Sequence, residues 1–440
     1  MVYYIDPQNG SDSNAGTIPE MPWCTITGRV FEPGDQVLFR RGSVIRKALR
    51  LPGGSREGVI TYGAYGDGPD PVVNPSVNAG KKEQWTEERP GIWRFAGSLP
   101  GEMCNIVFND GASFGNLRWS QEELKKPGEW YYTLLGHSMN EGEWERWGKG
   151  MLYLACDRNP ADAWEQIELV HWGDRMAVEA EPYVVIENFT FEKSGVHGFS
   201  ATRVHHVVIR HCTFRCIGGG VFDRKTKVRL GNAVEFWNGA CDCTVEHCVF
   251  SDIYDSGVTH QGTYPESQVP ARIRFCNNLF LRCGMAAYEW RGPASRDIVF
   301  ENNICLYPGG PLSRQGENRR RRTENERFNP MTGVSVLIWR LEQEIEPGEI
   351  YCTIRNNVFG QAPNDGGAIS SGVDEAHMRR FVIEDNLYCQ ADGGTLIRMG
   401  TAPDPENTGK TWSAEQFAQY QQETGFDKDS RILDSGLFHG

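Results

Sequence analysis

A short phrase recurs seven times in the second half of the chain: "VVIENFTF" (184–191), "VVIRHCTF" (207–214), "CTVEHCVF" (243–250), "RIRFCNNLF" (272–280), "DIVFENNIC" (297–305), "CTIRNNVF" (352–359) and "FVIEDNLY" (381–388). Each copy is an alternating strand, a polar pair and a further apolar pair. The shortest spacing, from Phe191 to Phe214, is 23 residues. A unit that short cannot bury its own apolar face, so copies must stack on one another. The wider gaps then read as loops inserted into single coils, usually on one binding face.

The polar pairs fit such a stack. Asn278, Asn303, Asn357 and Asn386 hold one equivalent position, with Cys212 and Cys248 there in earlier coils. Stacked Asn at a tight turn can hydrogen-bond the neighbouring coil and each other. Every coil also carries another strand: "SGVHGF", "NAVEFW", "SGVTHQ", "AAYEWR", "GAISSG", "TLIRMG". The chain is therefore read as all-β: a single-stranded right-handed parallel β-helix. The Leu pattern of the competing leucine-rich solenoid is absent. Fifty Gly, 23 Pro and few long helix-forming stretches agree with many short strands and turns.

Around this core, residues 1–80 read as the start of the solenoid and 81–178 as a Trp-rich β insert. Residues 179–405 are the coils, and 406–440 a C-terminal helical cap and tail. The opening turn "DPQNGSDSNAGT", the strand "PGDQVLFRRG" and the turn "YGAYGDG" resemble the start of carbohydrate-active parallel β-helix proteins of the pectin-lyase-like kind. The insert segments "PGEWYYT" and "GMLYLACDRNPADAW", and the tail "WSAEQFAQYQQETGFDKDS" with "RILDSGLF", are similar to segments of the same proteins. The resemblance implies the architecture and a glycan substrate. It leaves the sugar and the reaction open.

Formal net charge is −13, which disfavours general binding to nucleic acid or anionic membrane. No apolar run is long enough to span a bilayer. No leader is visible at the N-terminus, so the expected location is cytoplasmic, or secreted or periplasmic if a leader has been removed. The 13 Cys form no CxxC pair and read as reduced, buried small residues. Neither a metal nor an organic cofactor is expected.

The candidate site lies on the additional strands. Aligned on their shared "GV", they place Val196, Val234, Val258 and Tyr288 in one inward column. The next column holds His197, Glu235, Thr259 and Glu289; two residues on come Phe199, Trp237, Gln261 and Arg291. Alternation puts these last two columns on one outward face. Glu235 and Glu289 are thus two coils apart, a spacing suited to an acid and a base flanking a glycosidic bond. Asp255, in the adjoining turn, is a third catalytic candidate; its bland reading is a turn-capping Asp. The same segment also holds Asp252.

His197, Trp237, His260, Gln261 and Arg291 are the expected substrate-binding residues. His260 falls in the inward phase, where a satisfied core histidine is the plainer reading. Trp290 would offer a stacking face only if its strand bulged. Basic loops at 223–232, with Lys225 and Lys227, and at 314–328, with four consecutive Arg, are solvated loops or clamps for an anionic sugar. The expected partner is a polysaccharide or oligosaccharide, neutral or anionic. Three functions remain in order: a glycoside hydrolase, a polysaccharide lyase acting on a uronate glycan by β-elimination, and a non-catalytic glycan-binding spike or adhesin.

Overall fold

The computed structural model describes residues 1–135, 149–225, 227–262, 269–292, 295–313, 333–338, 349–360, 367–373, 375–390, 394–400 and 409–433. The basic loop 314–328 lies outside the described residues. Three ten-stranded sheets run the length of the molecule, and each coil contributes one strand to each in turn. Within a coil the chain passes from the first sheet (Val184–Glu187) to the second (Thr190–Glu192) and the third (His197–Thr202). It then returns to the first at Val207–Arg210, paired parallel to the strand it left. This is a parallel β-helix.

The recurring phrase makes the corner between the first and second sheets. Its first polar residue adopts a left-handed conformation in coil after coil: Asn188, His211, His247, Asn277, Asn302, Asn356 and Asp385 all have φ between 52° and 59°. Polar residues that bond locally tolerate this region better than branched ones. The second polar residue points inward and forms a ladder. Asn303 Oδ1 accepts from the Asn278 backbone N–H at 2.9 Å, and Asn357 Oδ1 accepts from that of Asn303 at 2.9 Å. Asn386 Oδ1 serves Asn357 likewise at 3.0 Å. The closing aromatics stack beside the ladder, with Phe191–Phe214, Phe214–Phe250 and Phe250–Phe280 centroids at 5.1, 5.3 and 4.7 Å. Fully burying each ring contributes about 1.5–3 kcal/mol.

Two smaller sheets form the insert. One contains Met103–Phe108 and Ile167–His171; the other contains Glu129–Tyr132 and Leu152–Ala155. Met176–Ala180 already belongs to the third solenoid sheet. Cys104, Val107, Val170 and Trp172 seat the insert on Val196 and Cys216 of the solenoid. At the far end, the helix Phe417–Thr424 ends at Gly425, φ 76°. Asp427, buried beneath it, accepts from Tyr388 and Tyr420 hydroxyls at 3.0 and 2.9 Å and from Asn386, so the Asn ladder is closed off from water. All 13 Cys are unbonded, and all but Cys24 and Cys241 are buried. Among the described residues no helix is long and apolar enough to cross a membrane.

Candidate active site

Three strands of the third sheet, Val234–Trp237, Ser256–Gln261 and Ala286–Trp290, carry the candidate residues. Their register places Glu235, Thr259 and Glu289 side by side in one column, and Gln261 beside Trp237. Val234, Val258 and Tyr288 form the column before it and lie in the solenoid core. The two carboxylates are therefore two coils apart, as expected.

The preceding coil differs from the expected alignment. Ser200, not His197, pairs with Glu235, and Phe199 pairs with Val234. Phe199 is a core residue, and Val196 packs against the insert instead of the core column. A Cβ on Gly198 would lie 2.5 Å from the Ala233 carbonyl, so only glycine lets the two strands approach there. His197 nonetheless reaches Glu235 from the strand's leading end, with Nε2 3.1 Å from Oε2.

Around Glu235 the contacts form a connected set. Its Oε2 also accepts from Ser200 Oγ at 3.0 Å. Asn232 is the hub. Its N–H donates to His197 Nδ1 at 3.1 Å, which assigns the ring proton to Nε2, facing Glu235. Its Nδ2 lies 3.4 Å from Glu235 Oε1, and its Oδ1 accepts from the Ser256 N–H at 3.0 Å. Ser256 in turn donates its hydroxyl to Glu289 Oε2 at 3.2 Å. Asn232 is held in place by the hairpin just before it, Gly220–Asp223 with Val228–Leu230. At the hairpin's base Gly218 and Gly231 touch: a Cβ on Gly231, φ 152°, would fall 2.2 Å from the Gly218 Cα. Arg229 of the hairpin lies over the Tyr254 ring and donates to the Cys104 carbonyl at 2.7 Å, which ties this corner to the insert.

Glu289 has weaker support. Besides Ser256, Gln261 Nε2 lies 3.4 Å from Oε2. Oε1 accepts no hydrogen bond among the described residues, and Arg291 Nη1 is 3.7 Å away. The side chain is fully buried, yet Arg291 above it is 47% exposed, so the carboxyl is one side chain below the surface. Burial pushes the Glu289 pKa up to about 8; Asp255 and Glu235 add to the rise, while Arg291 and Ser256 oppose it. The three carboxylates Glu235, Asp255 and Glu289 are thus within one another's field.

The other expected residues divide. Trp237 is partly buried at the end of its strand. His260 requires a correction: it faces the core, fully buried, between the Tyr288 hydroxyl at 2.9 Å and Ser295 Oγ at 3.0 Å. Desolvation lowers its pKa to about 3, and the substrate-binding role does not fit there. Trp290 is also in the core, against Tyr351 and Phe381, and offers no stacking face. Asp252 is held by Arg282 at 2.7 and 2.8 Å on the second sheet. Lys227 lies over the Trp119 ring, 5.6 Å from its centroid. Ser200, Asn232 and Ser256 escaped the sequence reading; the one available signal was Asn232 three residues before Glu235. Among the described residues, no group of three or more His, Cys, Asp and Glu is placed to hold a metal ion.

No family model matches the chain. It is 32% identical over 96 residues to a lacto-N-biosidase of Bifidobacterium longum subsp. longum, a match covering 20% of this chain and 6% of that protein. A solved structure described as a glycoside hydrolase is 10% identical, with 92% of this chain and 97% of that one superposed at a TM-score of 0.51. The GH136 lacto-N-biosidase from Eubacterium ramulus is 15% identical, with 98% and 67% covered and a TM-score of 0.40. At that identity the likeness to the solved glycoside hydrolase bears on the fold, which is a parallel β-helix.

Proposed function

We propose that the protein is a glycoside hydrolase in which Glu289 is the general acid and Glu235 the general base. The observation that carries this reading is the contrast between two carboxyls in one column. Glu289, buried and poorly solvated by donors, keeps its proton near neutral pH. Glu235 is oriented by His197, Ser200 and Asn232, all donating to it. A carboxylic acid that holds its proton beside one supplied with donors is the division of labour glycoside hydrolysis needs.

Two coil spacings put the Glu235 and Glu289 Cα atoms about 9.6 Å apart. That separation leaves room for a water between Glu235 and the sugar, the inverting geometry. Glu289 protonates the leaving oxygen while Glu235 takes the proton of the attacking water. Arg291 and Gln261 border Glu289 and are placed to bind sugar hydroxyls, with Trp237 as a flanking aromatic. Asp255 raises the cost of ionising Glu289 and so acts through it.

A β-elimination on a uronate is the second reading, and Arg291 favours it: a guanidinium at the site is suited to neutralise a substrate carboxylate. One experiment separates the two. A panel of neutral and acidic glycans is incubated with the protein and with Glu235→Gln, following reducing ends, the ultraviolet absorbance of unsaturated products, and the first-formed anomer by NMR. New reducing ends of inverted configuration, lost in the variant, support hydrolysis. Unsaturated products overturn it in favour of elimination. Binding without turnover on every glycan overturns both in favour of a non-catalytic binder.

A further inference from the structure

A cleft of about 500 Å³ runs between the insert and the outer face of the second sheet, away from the carboxylate column. Its floor is two outward columns of that sheet. Val44, Val72, Thr190 and Thr213 form one, paired strand to strand across four coils. Arg46, Asn74, Glu192 and Arg215, two residues on, form the other. Asp110, Gln166 and Glu168 of the insert make the wall.

The charges in this cleft cancel. Arg46 pairs with Glu168 at 2.9 Å; Lys193 pairs with Glu192 at 2.6 Å and Asp110 at 3.0 Å; Arg215 pairs with Glu192 at 2.6 Å and with Asp110. Three cations meet three carboxylates, so an ionic ligand gains little there. What remains is hydroxyl and amide surface on Thr190, Thr213 and Gln166.

A second cleft of about 450 Å³ continues the first and shares Arg46 and Asn78 with it. His171 lines it and is 3% exposed. Its Nδ1 accepts from the Gly173 N–H at 3.0 Å, so the ring proton is on Nε2. That buried N–H makes no hydrogen bond; the neighbouring Pro75 carbonyl is out of bonding geometry. A buried donor left unmet is costly and calls for an explanation, an acceptor on a ligand being one.

We propose that this seam is a second, non-catalytic site that binds a neutral oligosaccharide along the solenoid axis. Sugar hydroxyls both donate and accept, which suits a surface of paired ions, hydroxyls and one unmet donor. The clefts have the size of ligand sites. Three coil spacings, about 14 Å, accommodate a short sugar chain.

The test uses the full chain carrying Glu289→Gln, titrated calorimetrically with neutral di- to pentasaccharides of glucose, galactose and xylose. Thr213→Trp fills the cleft floor from a half-buried strand position that tolerates an aromatic; His171→Phe removes the donor. Thr213→Trp is expected to abolish one binding event, and His171→Phe to weaken it about tenfold. In the chain with Glu289 intact, Thr213→Trp leaves turnover of a short soluble substrate unchanged. Isotherms unaffected by either variant, or no heat from any probe, overturn the proposal. The groove and the hydrolase reading fail separately: a Thr213→Trp-sensitive isotherm stands even if no glycan is cleaved.

Discussion

Two polar columns run through this solenoid, and they are built on opposite terms. In the Asn ladder every side chain both gives and receives: Asn303 accepts from Asn278, donates to the Phe275 carbonyl at 3.0 Å, and receives an acceptor from Asn357. The amide is neutral, and one coil spacing matches one hydrogen bond, so the ladder is satisfied within the protein. In the Glu235–Thr259–Glu289 column the buried groups are acids that can only accept when ionised. Glu235 is supplied with donors, and Glu289 is left with few. A satisfied buried column stabilises the stack. An incompletely satisfied one stores proton affinity, the property a general acid uses.

The comparison is broken most forcefully by exchanging acid for amide. Glu289→Gln and Glu235→Gln are each expected to lower turnover by about 10²–10⁴-fold, read as initial rates of reducing-end release, with melting temperature retained or raised. Unfolding of Glu289→Gln together with loss of activity would place Glu289 in the same structural class as the ladder.

The converse change is Asn303→Ala. It strips the partner from the Asn278 N–H and the Phe275 carbonyl, both buried, and is expected to cost about 2–4 kcal/mol by urea denaturation. The specific activity of the folded fraction should stay constant.

A third prediction uses pH. Glu289 binds its proton more tightly folded than unfolded, with pKa moving from 4.5 to about 8. Its contribution to stability is therefore fully present below pH 4.5 and is lost as pH rises toward about 8, by an amount on the order of a few kcal/mol. Activity should fall over the alkaline end of the same window as the acid deprotonates. Thermal melts of wild type and Glu289→Gln across this range should converge at low pH and separate at high pH, with the variant the more stable.

His197→Ala sharpens the picture of Glu235. Loss of the Nε2 donor should reduce kcat about tenfold, with KM little changed. The smallest effect on function belongs to His260→Phe. Its ring meets only core partners, so KM should not move, while stability falls by about 1–2 kcal/mol from the lost hydrogen bonds to the Tyr288 hydroxyl and Ser295.

How far these features could be read in advance varied with their sequence range. The corner phrase is local: a strand, a left-handed polar residue, an inward Asn and an aromatic occur within eight or nine residues, so the stack and its ladder were legible. Glu235 and Glu289 could be brought together because strand alternation is strict and their coils pair without offset. The coil before them defeated the same alignment: Ser200, three residues beyond His197, is the residue that pairs with Glu235. Asn232 as hub, Ser200 and Ser256 as donors, and the burial of Glu289 depend on contacts across coils that no single coil announces.

By itself, then, the amino-acid order determined that short β units must stack, that Asn and aromatic columns line the corner, and that two glutamates share a face. Period and turn chemistry act over a few residues, and those are written along the chain. The tertiary structure alone decided which buried polar groups found partners. That depends on register, on the insert seated against Val196 and Cys216, and on the hairpin that sets Asn232. The difference between a ladder and a proton donor is made there, because hydrogen-bond satisfaction and desolvation are properties of assembled neighbours and not of residues.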